Sequence, residues 1–291
     1  MSHESGTVPV RLRPDQLVGA TFSFQNHRFD HVLDTISGFG LDRIELWGIA
    51  QHLDLFTETP DRVAAVRRAL RDRGISVVCF TPEQVVYPVN IASGDAALRA
   101  DSLRRFRRAV DICVELGSPQ VFLTAGRGYE DEPREAAWER SVQSLREIAR
   151  HAGSAGVTCL LEPLQRVESN LVLDVADLRR MVDDIGEDNV GVVLDTVAMA
   201  CAGDTVRDYV DAFGPRLRHV QLVDGNPAGH LVWGEGSLPL GDHLLELGAL
   251  GYQGTITFEP FGDGSYSLDP EAAWRTCVER FRACLRDGVA R

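Results

Sequence analysis

Three acidic residues each close an apolar run in this chain: Glu162 after Cys159-Leu160-Leu161, Asp195 after Val192-Val193-Leu194, and Glu259 after Ile256-Thr257-Phe258. A carboxylate standing straight after residues that a core would bury needs a partner. Each acid taken alone reads equally as a helix cap or a surface salt-bridge partner. Repeated three times, the pattern is what an oxygen-rich site for a divalent cation demands. A fourth run, Leu217-Arg218-His219-Val220-Gln221-Leu222, sets His219 and Gln221 two residues apart, on one side of an extended chain. Gln221 adds an oxygen, so the expected metal ligands are Glu162, Asp195, Gln221 and Glu259. Hard ligands without a thiolate suit Mn²⁺ or Mg²⁺ better than Zn²⁺, with Mn²⁺ the first expectation and Co²⁺ a substitute. A divalent ion bridging a carbonyl oxygen and a neighbouring hydroxyl acidifies the carbon between them. Glu162 and Glu259 are then the expected catalytic acid–base pair: from opposite faces they invert the carbon, and from one face they shuttle its proton to the adjacent carbon.

The elements that must position these groups alternate along the whole chain. Strands are expected at 17–23, 43–47, 76–81, 120–124, 158–162, 191–195, 218–223 and 255–259. Amphipathic helices are expected at 30–37, 60–73, 95–116, 134–155, 175–185, 205–213, 238–250 and 270–286. Pro60 near one helix start and Gly74, Gly117, Gly156 and Gly251 past helix ends mark boundaries. Eight strand–helix units imply a closed parallel barrel, a single (β/α)8 TIM barrel domain of the α/β class over residues 1–291, with 1–14 a polar N-terminal extension. A doubly wound open sheet is the structural alternative, but Phe22-Ser23-Phe24-Gln25-Asn26-His27 is not the Gly-rich turn that usually follows its first strand. In a barrel the reactive groups stand at the C-terminal strand ends, where the three acids fall.

Composition narrows the function. The 291 residues carry 30 Lys and Arg against 43 Asp and Glu, a net charge of −13, so the surface repels phosphate backbones and anionic lipid. No nucleic-acid partner and no membrane partner are expected. Met1-Ser2-His3-Glu4-Ser5 lacks the basic flank and apolar core of a signal peptide, which points to the cytoplasm. The six cysteines show no Cys-x-x-Cys pair, so neither disulfides nor a zinc knuckle is expected.

The strand-end pattern resembles the sugar isomerase/epimerase superfamily of xylose isomerase-like barrels, and most of all its fructoselysine 3-epimerase and D-tagatose 3-epimerase branches. The resemblance is carried by Ile44-Glu45-Leu46-Trp47-Gly48, Thr81-Pro82-Glu83, Tyr87-Pro88-Val89-Asn90, Leu161-Glu162-Pro163-Leu164, Glu168-Ser169-Asn170 and Gly234-Glu235-Gly236, which together span most of the barrel. It implies the same four ligands, and it implies that Glu168 contacts sugar hydroxyls. It brings His230 toward the site through a His-x-x-x-Gly-Glu-Gly spacing, and makes Glu235, His219, Trp47, His52 and Tyr87 substrate-binding candidates, with Trp233 a further candidate wall. Core packing competes as an explanation for the aromatics, a satisfied interior histidine for His219 and a solvated surface for Glu168 and His230. A homo-oligomer, dimer or tetramer, is a family expectation. Two departures matter: most of these epimerases have histidine where this chain has Gln221, as hydroxypyruvate isomerases do not, and the tagatose type has histidine where this chain has Ala198. The second favours a bulkier or differently substituted sugar.

The expected activity is therefore that of an isomerase, a metal-dependent ketose 3-epimerase working on a free or substituted small-molecule sugar through an enediolate. Alternatives are a hydroxypyruvate-type or aldose–ketose isomerase, a lyase or dehydratase acting on a keto-sugar through the same enediolate, and a noncatalytic sugar-binding barrel. Arg127, alone in Gly126-Arg127-Gly128, is weak evidence for a phosphate site.

Overall fold

Strand β1 (Gly19–Ala20) is followed by β2 (Arg43–Gly48), β3 (Ser76–Pro82), β4 (Gln120–Thr124), β5 (Thr158–Glu162), β6 (Val190–Asp195), β7 (Leu217–Gln221) and β8 (Thr255–Thr257), all parallel and paired in chain order. The computed structural model describes residues 12–85 and 88–287. The turn of the sheet closes on itself through a bridge between Leu17 and Ile256, with Val18 N–H donating to Ile256 C=O at 2.9 Å and Thr257 Oγ1 to Val18 C=O at 3.0 Å. Helices α1 (Phe29–Gly38), α2 (Pro60–Asp72), α3 (Ala96–Leu116), α4 (Arg134–Ser154), α5 (Val175–Ile185), α6 (Thr196–Ala202), α7 (Val206–Phe213), α8 (Leu240–Ala249) and α9 (Pro270–Asp287) stand between and after the strands. The eight-unit barrel is thus present and the open-sheet alternative is not. Among the described residues no helix is long and apolar enough to cross a membrane.

Local chemistry explains the boundaries. Asp95 caps α3 through Ala97 and Leu98 N–H, and Gly117 ends it in the left-handed conformation that glycine adopts without penalty. The first and last strands are shorter than the sequence suggests. Phe22–Phe24 coil into a 3-10 turn instead of extending β1, and β8 stops at Thr257, two residues before Glu259 and three before Pro260, which has no N–H for a ladder. Helix α6 is additional to the expected set. It forms because Asp195 Oδ1 accepts Ala198 N–H at 2.6 Å as an N-cap, and Gly203 ends it in the left-handed region. Of the stretch read as a polar extension, residues 1–11 lie outside the described residues, while Leu12 is buried and Arg13 donates to Gln253 Oε1 at 2.8 Å.

Inside the barrel the side chains stack in layers. Val18, Cys79, Phe122, Leu160 and Val193, with Val78, form a small apolar cluster apart from the large core between strands and helices. Two residues further along β3, β4, β5 and β6, on the same face by the period of a strand, come Thr81, Thr124, Glu162 and Asp195. An apolar plug is therefore overlaid by a polar layer one pleat nearer the C-terminal mouth.

Candidate active site

Above that plug opens a cavity of about 420 Å³. Glu162, Glu168, Asp195, His230 and Glu259 line it, and Phe22, Trp47, Phe122 and Phe261 provide aromatic wall. The Phe22 ring lies 4.2 Å from Trp47 and 5.0 Å from Phe261 between centroids, so the aromatics form a continuous strip. Gln25, Gln51, Glu83 and Gln165 add polar groups.

The carboxylates are held out of water. Glu162, Asp195 and Glu259 are all buried. Burial pushes the Glu162 carboxyl well above the usual carboxylate range, and the negative neighbours Asp195, Glu168 and Glu45 push it further. Glu259 is displaced the same way, by burial first and then by Asp195, Glu162, Glu45 and Glu168. Burial also raises Asp195, opposed by His230 and by backbone N–H donors at the start of α6. Glu168 is raised by burial, against the Gln165 N–H that its Oε2 accepts at 3.0 Å. Among the described residues, Glu162 Oε1 and Asp195 Oδ2 are buried oxygens without a hydrogen-bond partner. Donor atoms of Asp195, His230 and Glu259 lie within 4.8 Å of one another. A divalent cation fits buried carboxylates and an imidazole converging this way, because their charge is costly to bury unpaired.

Strand β7 contributes beneath this surface. His219 is fully buried, its Nδ1 2.7 Å from Thr255 Oγ1 and its Nε2 3.2 Å from Glu45 Oε2. Gln221 Nε2 donates to Glu45 Oε1 at 3.1 Å and Oε2 at 3.4 Å, and Thr81 Oγ1 donates to Glu45 Oε1 at 2.5 Å. Neither His219 nor Gln221 lines the cavity. Glu45 was not among the candidate site residues, although the signal was available: an acid inside Ile44-Glu45-Leu46-Trp47 shares a strand face with Trp47 and must find donors.

The remaining candidates are distributed less uniformly. His52 is buried but faces away from the cavity, its Nε2 3.0 Å from His27 C=O and its ring 5.4 Å from Phe29, with burial lowering its pKa to about 4. Glu235 is exposed and accepts Tyr266 O–H at 2.5 Å, and Trp233 is buried outside the cavity. Tyr87 lies outside the described residues. Arg127 is engaged with Glu130 Oε1 at 2.7 Å and Val167 C=O at 2.7 Å.

Asp224 organises the loop that carries His230. This buried carboxylate accepts N–H from Gly225 at 2.8 Å and Leu238 at 3.0 Å on Oδ1, and from Gly234 at 2.8 Å on Oδ2. A Cβ at Gly236 would stand 2.3 Å from Asp224 Oδ1, so glycine is required where the loop folds over this acid. Asp224→Ala strands three backbone donors at a partly buried site and should lower stability by about 2–4 kcal/mol, read as a shift in urea midpoint. A midpoint within error of the native protein would show that the loop does not depend on Asp224.

The family model described as xylose isomerase-like TIM barrel matches residues 33–284. The chain belongs to this family. Among curated relatives it is 28% identical to fructoselysine 3-epimerase of Shigella flexneri over 267 residues, covering 91% of this chain and 96% of that one. It is 27% identical to D-psicose 3-epimerase of Agrobacterium fabrum over 256 residues, covering 84% of each. A solved L-ribulose 3-epimerase shares the fold at a TM-score of 0.76 and 23% identity over 93% of this chain and 94% of that chain. The chain is accordingly an enzyme of the isomerase class.

Proposed function

We propose that this enzyme is a ketose 3-epimerase acting on a free or substituted sugar with the aid of a divalent cation. The observation that carries the reading is the set of buried carboxylates Glu162, Asp195 and Glu259 lining one cavity, two of them with an orphaned oxygen. Relatives named as 3-epimerases of fructoselysine, D-psicose and L-ribulose give the reaction class. Asp195 and Glu259 would hold the cation together with Glu162, and hard carboxylate oxygens match Mn²⁺ or Mg²⁺ better than Zn²⁺. When bound, such an ion supplies positive charge to the oxygen that becomes anionic as the neighbouring carbon loses its proton.

The protein's own groups do the rest. Glu162 and Glu259 stand on β5 and just past β8, three strands apart around the mouth. A sugar between them presents a different face to each. One carboxylate takes the proton from the carbon, the other delivers one to the opposite face, and the centre inverts. Burial raises both carboxyls in the metal-free protein, and a bound cation would counter that shift by favouring the ionised form, which lets each act as a base near neutral pH. Glu168 faces the same cavity and is placed to accept hydrogen bonds from sugar hydroxyls, while the Phe22–Trp47–Phe261 strip covers the sugar's apolar face. The neutral methyl of Ala198 leaves room there for a substituent.

The test is a ketose panel incubated with Mn²⁺ in D₂O and read by product NMR. Deuterium at an inverted carbon 3 is the expected result. Deuterium moved to carbon 1 or 2 with an aldose product would instead establish aldose–ketose isomerisation, and binding without exchange would establish a sugar-binding barrel.

A further inference from the structure

Strands from opposite sides of the barrel meet on one carboxylate beneath the cavity. Glu45 projects from the middle of β2 and is fully buried. Its Oε1 accepts Thr81 O–H at 2.5 Å and the Gln221 side-chain N–H at 3.1 Å. Its Oε2 lies 3.2 Å from His219 Nε2 and 3.4 Å from the same Gln221 nitrogen. A carboxylate only accepts, so His219 turns Nε2–H toward it, and Nδ1, 2.7 Å from Thr255 Oγ1, accepts the threonine hydroxyl. Three donors on β3 and β7 thus converge on one acid of β2.

The convergence decides which way the Gln221 amide faces. A side-chain amide has a donating end and an accepting end of nearly equal shape, and only its partners tell them apart. The end that meets Glu45 is the NH₂ group, so the carbonyl oxygen is turned away from the acid. The neighbours of Gln221 on its own face belong to the carboxylate cluster. It pairs in register with Asp195 across β6 and β7, and with Thr257, two residues before Glu259, across β7 and β8. Asp195 is the residue whose Oδ2 is orphaned. Thr81, the other donor to Glu45 Oε1, lines the cavity itself. The contacts of Glu45 therefore reach the floor of the site, although Glu45 does not line it.

We propose that Glu45 is a positioning residue: it holds the nitrogen end of the Gln221 amide and so presents the carbonyl oxygen to the cation beside Asp195. The proposal rests on the cation reading above. In Glu45→Gln two amides would meet. The new NH₂ group needs an acceptor, the Gln221 oxygen is the nearest, and the amide turns over and withdraws that oxygen from the cation. Glu45→Asp keeps the charge but is one methylene too short to hold all three donors. A buried negative charge would also favour a cation through space, and the two variants separate that effect from positioning.

The experiment uses the full-length protein, stripped of metal and titrated with Mn²⁺ by calorimetry, with circular dichroism and urea midpoints to establish that each variant is folded. Glu45→Gln should lower Mn²⁺ affinity about 10- to 10²-fold, and Glu45→Asp about 10-fold despite its retained charge. Gln221→Met should lower affinity by a similar factor. Adding Glu45→Gln to Gln221→Met should then change it by less than about threefold, because the acid has no amide left to orient. One measurement needs no variant: the Gln221 side-chain NH₂ protons, identified by their nuclear Overhauser contacts to the His219 ring, should be protected from solvent exchange in metal-free and Mg²⁺-loaded protein alike. Wild-type affinity in Glu45→Asp or in Gln221→Met, an equal loss from Glu45→Gln with and without the amide, or rapid exchange of those protons overturns the role of Glu45 while leaving the cation reading intact. No Mn²⁺ binding by the wild type overturns both.

Discussion

Glu162→Gln and Glu259→Gln should each lower turnover by about 10²-fold or more while the protein stays folded. An amide is nearly isosteric with a carboxyl and can still offer its carbonyl oxygen to a cation, but it cannot take or return a proton. Both residues are buried, so each replacement also removes a charge that the fold carries at a cost, and thermal stability in the absence of metal should hold or rise. The two variants should differ in one respect. If each carboxylate serves one face of the sugar carbon, each variant should retain isotope exchange with solvent for the epimer whose proton faces the remaining carboxylate. Single-turnover exchange in D₂O starting from each epimer reads this directly. Near-normal turnover in either variant would mean that the proton is handled elsewhere in the cavity.

Stripping the protein of metal should lower its unfolding temperature, and the loss should be larger at about pH 8 than at about pH 5. The sign follows from the carboxyls. Glu162, Asp195 and Glu259 all have their pKa raised in the folded protein above the unfolded value, chiefly by burial. The metal-free native state therefore binds more protons than the unfolded chain. Its stability is fully present below the unfolded carboxyl pKa of about 4 and declines as pH climbs through the raised values. A cation supplies at neutral pH the compensation that protons supply in acid. At a free metal concentration of about 1,000 times Kd it adds roughly 4 kcal/mol, on the order of 10 °C for a chain of this size. Differential scanning fluorimetry with chelator and with Mn²⁺, Co²⁺ or Mg²⁺ added back measures both dependences. A metal-free protein that is more stable at pH 8 than at pH 5 would falsify this account of the carboxylate cluster.

Much of this site is legible in one dimension because its strongest signals are local. A charge that ends an apolar run marks a strand end, and the spacing of eight such runs by amphipathic helices marks a barrel. Glu162, Asp195 and Glu259 are found that way, and the structure brings all three to one cavity with Glu168, His230 and Trp47. The errors have equally physical causes. Extended propensity in Leu17–Ser23 loses to the 3-10 turn at Phe22–Phe24, and the β8 ladder ends at Thr257, short of Glu259. His52 is the same residue type as His230 in a similarly polar loop, yet its ring turns to the His27 carbonyl, and nothing within a few residues distinguishes the two. What does distinguish them is remote: the backbone of His230 is held by Phe261 and Gly262, some thirty residues on. Glu45 is an extreme case, because its donors His219 and Gln221 lie 174 and 176 positions later.

That cross-barrel acid has a bearing on how the chain reaches its native state and on whether it can be divided. A (β/α)8 barrel looks separable into two halves, and each half here would contain four strands with their helices. Glu45 belongs to the first half, and two of the residues that hydrogen-bond to it belong to the second. A fragment ending between α4 and β5 would keep Thr81 as its partner and otherwise expose an unsatisfied acid at the centre of its own sheet. The complementary fragment would present His219 and Gln221 with no acceptor across from them. Each half is thus penalised alone and completed by the other, so the molecule should behave as one cooperative unit, and halves split between α4 and β5 should be stable only as a complex of the two.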